Sequence, residues 1–436
     1  MKKERLTLLA VLMLMWMAVP QCKADNTLAG LVEMDYSGKA DTLTTAFLNQ
    51  FLNTSKGTFW AVPCDRANRD EETRYIYWQQ AHAMDALIYS YERIKDVSPN
   101  TAATYKRYMQ RWYLNHANNW GSANSFYNEY TDDMCWICLT LIHMSEALGD
   151  DKYANMARTM FDDYIEPRGW QDDDGFWGLP WKSNDSGRNA CTNSPGCLVA
   201  SKLYLKYGEE KYKQTAIKIA EYQLNEMSTK LNYDGRVEEP PLTYTQGTFG
   251  EACRQLYHIT GQSSYLQAAQ KIINYLCTSG RCTSNGILRH EGTSMDQSIF
   301  KAVAIPYIVN MILDEKVSLA YRRSFIRFLQ KNAQTLWSNL DLSNYPVVYC
   351  NYYWGEPIDP SAVPSMGAMA SGASLMENVA RMGLALTASD DTGIRDMQGS
   401  TLDASRVYSL DGRQLKSTQS LSKGMYVIGN KKVFVK

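Results

Sequence analysis

Between Tyr77 and Ile94, apolar side chains recur at Trp78, Ala81, Met84, Ile88, Tyr91 and Ile94, three or four residues apart. That spacing is the period of one face of an α-helix. It continues along most of the chain and predicts twelve helices, near 37–53, 76–95, 100–117, 133–148, 151–164, 195–207, 209–229, 246–260, 262–277, 296–313, 316–338 and 366–386. A repeat runs through them: Gly149, Tyr153 and Ala157 share their spacing with Gly208, Tyr212 and Ala216, and with Gly261, Tyr265 and Ala269. Each glycine supplies the left-handed residue that ends one helix, and the next helix starts at once. The Tyr and Ala then face inward one and two turns later. The pattern is a tight αα-hairpin used at least three times.

Short and long connections alternate between these helices. Short ones fall near 96–99, 149–150, 208, 261 and 314–315, and long ones near 54–75, 118–132, 165–194, 230–245, 278–295 and 339–365. If successive helices run antiparallel, every long connection emerges at the same end. This predicts an all-α catalytic domain over 25–386, an (α/α)6 barrel of six helical hairpins, with function on the built-up face. An open helical solenoid satisfies the alternation equally well. Beyond 386 the chain turns polar and then β-like: Val407–Leu410 precedes Asp411-Gly412, and Gly424–Ile428 is separated from Val433–Val435 by Gly429-Asn430. A linker and a short β module over 387–436 are expected.

At the other end Lys2, Lys3 and Arg5 precede the apolar run Leu6–Val19, which reads as a signal peptide over 1–24 rather than a membrane span. Cleavage after Ala24 is expected; lipidation at Cys22 is the alternative. No other run is long enough to cross a bilayer, so an exported protein without an integral membrane span is expected. The net charge of −1 argues against a nucleic-acid or anionic-membrane partner, which would need a clustered basic surface. Aromatic residues reach 12%, with 11 Trp and 29 Tyr, suited either to stacking on sugars or to packing between helices. Among ten cysteines, Cys191–Cys197 and Cys277–Cys282 are candidate disulfides in an exported chain. Cys135 and Cys138 form a CxxC, but within an apolar helical pattern and with five His in the chain. They read as packed core rather than as a metal or redox pair, and no cofactor or metal is expected.

Adjacent aspartates occur at 132–133, 150–151, 162–163, 172–174 and 390–391. Asp150-Asp151 falls in a short turn at the opposite end, Asp162-Asp163 inside a helix and Asp390-Asp391 in the linker; Asp172–Asp174 suit a turn or a bound cation. Only Asp132-Asp133 opens a helix directly after a long connection. Helix capping is one reason for carboxylates there. Catalysis is the other, because neighbouring carboxyls repel when ionised and one keeps its proton toward neutral pH. Glycoside hydrolysis needs that combination of one acid and one anion, and consecutive side chains reach about 5–6 Å apart, near the spacing of retaining enzymes. Trp120, Phe126, Tyr127, Tyr130 and Trp136 crowd the same stretch. Other helix openings on this face carry Trp78, Gln79, Asn193, Tyr244, Gln246, Asp296 and Gln297, residues able to bond sugar hydroxyls or to cap helices.

Thr131-Asp132-Asp133-Met134-Cys135-Trp136 resembles the aspartate-pair motif of glycoside hydrolase family 76, the endo-α-1,6-mannanases. Tyr77-Trp78-Gln79-Gln80-Ala81-His82-Ala83-Met84-Asp85 is similar to that family's early tryptophan-rich helix, and Arg188-Asn189-Ala190-Cys191-Thr192-Asn193 to its two-asparagine segment. Tyr244-Thr245-Gln246-Gly247 and Asp296-Gln297 with Phe300-Lys301 match further patterns, over about residues 45–385. Thr245 stands where Asn is commoner. The resemblance implies an (α/α)6 fold, a neutral α-mannan substrate, retaining hydrolysis, no required metal, Asp132 as nucleophile and Asp133 as acid/base. The chain's end, from Gly424, resembles the sorting domain read by the type IX secretion machinery of Bacteroidetes. That implies a secreted, cell-surface or periplasmic protein of a Gram-negative bacterium. Two rivals stay open: an unsaturated uronyl hydrolase-like (α/α)6 enzyme, and a non-catalytic surface glycan-binding protein.

Overall fold

The computed structural model of the protein describes residues 27–65, 76–119, 125–227, 235–359, 361–362 and 364–391, together with four strands nearer the C-terminus. The signal-peptide expectation for 1–24, and Trp120, lie outside the described residues. Twelve α-helices are described: α1 Ser37–Phe51, α2 Trp78–Ile94, α3 Pro99–Asn119, α4 Thr131–Leu148, α5 Asp151–Met160, α6 Ala190–Tyr207, α7 Glu210–Glu221, α8 Thr243–Thr260, α9 Ser263–Thr278, α10 Met295–Leu313, α11 Leu319–Ser338 and α12 Met366–Asp391. Two short hairpins decorate the long connections, β1 Trp170–Gln171 with β2 Trp177–Gly178, and β3 Thr283–Ser284 with β4 Ile287–Leu288. Near the C-terminus β5 Val407–Ser409, β6 Gln414–Leu415, β7 Gly424–Ile428 and β8 Lys431–Val435 form an antiparallel sheet in the order β6-β5-β7-β8.

The even-numbered helices pack in sequence, α2 on α4, α4 on α6, α6 on α8, α8 on α10 and α10 on α12, and α12 returns to pack on α2. That last contact closes the ring, which a solenoid lacks. The odd-numbered helices lie outside it, α3, α5, α7, α9 and α11 each against the inner helix that precedes it, and α1 against α12. Composition follows position. Inner α4 is buried on nearly every side, from Met134 through Ile142, as a helix surrounded by protein must be. Outer α5 buries Tyr153, Ala154, Ala157 and Met160 and leaves its remaining face polar. Close approach inside the ring needs small residues: a Cβ on Gly247 would lie 2.7 Å from the Ala304 Cα, so α8 meets α10 almost backbone to backbone.

The repeated glycines end α4, α6 and α8 at φ 64°, 71° and 73°. Their N–H groups donate to the carbonyls of Ser145, Tyr204 and Tyr257. Tyr153, Tyr212 and Tyr265 are buried, as are the three alanines. Three helix starts lie two or more residues earlier than the apolar spacing predicts. α4, α6 and α8 begin at Thr131, Ala190 and Thr243 rather than at 133, 195 and 246, because their first turns are polar and carry no apolar mark. Pro195 suggests a helix start, but Asn189 caps α6 by accepting the Thr192 N–H, which places Pro195 one turn inside. α5 and α7 end early too, each running on as a wider π-turn, Phe161–Ile165 and Tyr222–Met227.

Neither expected disulfide forms among the described residues. Cys191 and Cys197 lie six residues apart on α6, a rise of about 9 Å, beyond what a disulfide spans. Cys277 and Cys282 are both buried in the core, where the neighbouring Cys282 adds to the effect of burial in pushing the Cys277 thiol up. Cys135 and Cys138 are likewise buried, and Cys138 donates to the Ala157 carbonyl one helix away. Among the described residues no group of three or more His, Cys, Asp or Glu is arranged to hold a metal ion, and no helix is long and apolar enough to cross a membrane.

Candidate active site

Because each long connection leads from an outer helix to the next inner one, all six inner helices start at the same face. The starts of α2, α4, α6, α8 and α10 surround a cleft of about 670 Å³ whose lining includes Trp78, Gln79, Tyr130, Asp132, Asp133, Trp136, Asn189, Tyr244 and Asp296. The floor is aromatic. Trp78, Trp136, Tyr244 and Phe300 come from four different inner helices, with ring centroids 4.1 Å apart for Tyr244–Phe300 and 6.0–6.3 Å for Trp136–Tyr244, Trp78–Phe300, Trp78–Trp136 and Trp78–Tyr244. Such rings cap the barrel axis with an apolar surface on which a sugar face can stack.

Asp132 and Asp133 occupy the first turn of α4. Neither is the N-cap residue: that position is Tyr130, whose side chain makes no capping bond. The turn that carries them is fastened from outside. Arg168 donates to the carbonyls of Glu129 and Asn128 and to the Thr131 hydroxyl, at 2.8–3.1 Å. Thr131 N–H donates to the Trp181 carbonyl, and Ser183 N–H to that of Glu129, a two-rung antiparallel ladder centred on Tyr130 and Lys182. Behind the turn, Phe126 is buried at φ 54°, a conformation rare for a bulky residue, and its carbonyl accepts the Tyr77 hydroxyl.

The two carboxyls differ in surroundings. Asp133 accepts a bond from the Asn128 amide at 3.1 Å; burial, then the charges of Asp132 and Asp296, push its pKa well above the usual carboxylate range. Burial also pushes Asp132 up, to about 6, but the Cys191 thiol, the backbone amides of the first turn and the Trp181 side chain favour its charged form. Asp132 therefore ionises first and Asp133 keeps the shared proton, although the titration belongs to the pair. The site thus holds one acid and one anion near neutral pH, able to protonate a leaving oxygen and to attack or stabilise a cation.

Asp296, opening α10, accepts from the Trp78 indole at 2.9 Å and from the Gln79 amide. Asn189 lines the cleft and caps α6 at once. Three expected site residues sit elsewhere. Asn193 is buried, its amide spent on the Leu179 N–H and C=O and on the Asn189 carbonyl. Gln246 is buried and pins Val237 N–H, Gly235 C=O and Ile272 C=O. Gln297 is exposed outside the lining and bonds Ser294. Phe126 belongs to the core, and Asp172 joins a turn, accepting the Phe176 N–H and pairing with Arg188. Sequence reasoning missed Trp181, Asn128, Glu129 and Cys191 in the lining. Trp181 lies in an aperiodic stretch, so only its being a tryptophan on a long connection hinted at it.

The model of the family described as glycosyl hydrolase family 76 matches residues 36–387, which takes in the whole ring and the aspartate turn. The chain belongs to that family. No functionally curated protein matches it. Among solved structures, a family 76 α-1,6-mannanase of Salegentibacter sp. HEL1_6 is 25% identical, with a TM-score of 0.69 over 80% of this chain and all of that one. A variant of it, inactivated by replacing two aspartates at consecutive positions with alanine, was solved with α-1,6-mannotetrose. A family 76 mannosidase of Bacteroides thetaiotaomicron shares the fold at 16% identity, with a TM-score of 0.63 over 82% of this chain and 99% of that one. This family 76 chain is a glycoside hydrolase with an all-α barrel.

Proposed function

We propose that the protein is a retaining endo-α-1,6-mannanase that cleaves the backbone of a neutral α-mannan, with Asp132 as nucleophile and Asp133 as acid/base. The observation that carries the reading is the pair of buried carboxyls of unequal proton affinity at the start of α4, in a cleft floored by aromatic rings. In the first step an Asp132 oxygen bonds to the anomeric carbon as the glycosidic C–O bond breaks, and the Asp133 proton passes to the departing sugar oxygen. In the second, Asp133 takes a proton from water as the water oxygen replaces Asp132 at that carbon. The substrate assignment draws support from the Salegentibacter enzyme, an α-1,6-mannanase whose inactive variant lacks two consecutive aspartates.

A uronan substrate fits poorly: the described lining contains Glu129, Asp132, Asp133 and Asp296 and no Lys or Arg, so a polyanion would meet like charge. Trp78, Gln79, Tyr130, Trp181, Asn189, Tyr244 and Asp296 supply stacking faces and polar groups for the neutral sugar. The basic, then apolar, N-terminal 24 residues and the C-terminal strands support export and handling by secretion machinery. Product analysis with purified protein on debranched α-1,6-mannan tests the reading, with a uronan digest as the contrast. Short mannooligosaccharides of retained anomeric configuration are expected from the mannan alone. Binding without turnover would instead identify a glycan-binding protein, and an inverted product would remove the covalent step.

A further inference from the structure

Cys191 lies in the first turn of α6 and lines the cleft, unlike the buried thiols of Cys135, Cys138, Cys197 and Cys253. Its sulfur is 3.5 Å from Asp132 Oδ2, 3.1 Å from Asn189 Oδ1 and 3.9 Å from the Thr192 hydroxyl. The Tyr244 hydroxyl, arriving from α8, reaches the same sulfur. The other oxygen of Asp132, Oδ1, is buried and makes no hydrogen bond.

A thiol has one proton, and here two oxygens compete for it. Asn189 Oδ1 already accepts the Thr192 N–H that caps α6, at 3.0 Å. An ionised carboxylate is also the stronger acceptor. The proton therefore turns to Asp132 whenever Asp132 is charged. Once Asp132 is esterified its remaining oxygen is a weaker acceptor, and the thiol proton can turn to Asn189.

We propose that Cys191 is the positioning residue for the nucleophile: its thiol donates to Asp132 Oδ2 and fixes the orientation in which the carboxylate meets the anomeric carbon. The proposal rests on Asp132 being the nucleophile. The thiol makes no bond to sugar and undergoes no redox step. It orients the attacking carboxylate in the first half-reaction and stabilises it as the leaving group in the second. The titratable groups facing this pair are Asp133 on α4, Tyr244 on α8 and Glu238 just before α8, whose charge acts on Cys191, with Asp296 on α10 acting on Asp133.

The test compares the full-length wild type, Cys191→Ala and Cys191→Ser. On debranched α-1,6-mannan, kcat/KM is followed from pH 4 to 8. Loss of the thiol bond should move the acidic limb upward by about half a unit or more, because the charged form of Asp132 loses a donor, and should lower kcat about tenfold. The serine variant restores a donor and should bring the limb back toward wild type. A rate loss with the limb unmoved in both variants would mean that Cys191 only fills space, and would overturn the proposal. A carboxyl titration of Asp132 by 13C NMR in the wild type and in Cys191→Ala needs no substrate. If the wild type fails to cleave mannan, the substrate reading has failed, and the NMR titration still decides whether the thiol holds Asp132. An unchanged Asp132 titration would overturn the thiol contact whatever the substrate.

Discussion

Asn193→Ala separates a structural amide from a sugar-binding one. The Asn193 Oδ1 accepts the Leu179 N–H at 2.8 Å, and its Nδ2 donates to the carbonyls of Leu179 and Asn189 at 3.0 and 2.9 Å. Leu179 is fully buried, so truncation leaves its N–H and C=O without partners, at about 1–3 kcal/mol for each group, or about 2–6 kcal/mol in total. For a folded region of about 350 residues the unfolding entropy converts this at roughly 1.4 °C per kcal/mol, giving a fall in Tm of about 3–8 °C. Leu179 lies two residues before Trp181, whose carbonyl holds the aspartate turn, so a smaller loss of kcat/KM should accompany the thermal effect. Differential scanning calorimetry and steady-state kinetics on the same preparation check both. An unchanged Tm with a raised KM would show that the amide contacts sugar, and would refute the structural role argued from its bonds.

Asp132→Asn and Asp133→Asn should each lower turnover by about 10³-fold or more, with Asp150→Asn and Asp162→Asn nearly silent as controls in the same mannan assay. Activity in the wild type should fall below about pH 6 as Asp132 takes up a proton, and should fall again at higher pH as Asp133 loses its own; a profile without an acidic limb near pH 6 would contradict the assignment. At the opposite end of the barrel, burial alone would lower the His143 imidazole, but its bonds to Asp85 and Glu92 outweigh that and push it up to about 9. A raised value of this kind contributes stability that is fully present below the unfolded imidazole pKa of about 6.5 and is lost as pH rises through about 9; the Tm should decline over that window and do so less in His143→Gln. Treatment with a chelator should leave both turnover and Tm unchanged, since the described residues contain no cluster of three or more metal-ligating side chains; loss of turnover restored by a cation would overturn this.

The sequence by itself determined the helix count, the hairpin repeat and the placing of the long connections at one end. Each of these is local: apolar spacing, a glycine at φ near 70° and the length of a polar stretch are properties of neighbouring residues. It also singled out Asp132-Asp133 from the other aspartate runs, because only that pair follows a long connection into an inner helix. Ring closure was not legible, since the contact of α12 with α2 joins residues far apart in the chain. Nor was the direction of polar side chains at the helix starts. Asn189 and Asn193 are both polar residues at the start of one helix, yet one lines the cleft while the other is consumed by the backbone of Leu179. Buried backbone groups must find partners, and whether an amide serves them or a ligand depends on which loop lies against it. Trp181 and Cys191 join the site through tertiary contacts: the long connection after α5 folds back onto the turn before α4 and brings the indole there, and the packing of α6 on α4 sets the thiol beside Asp132.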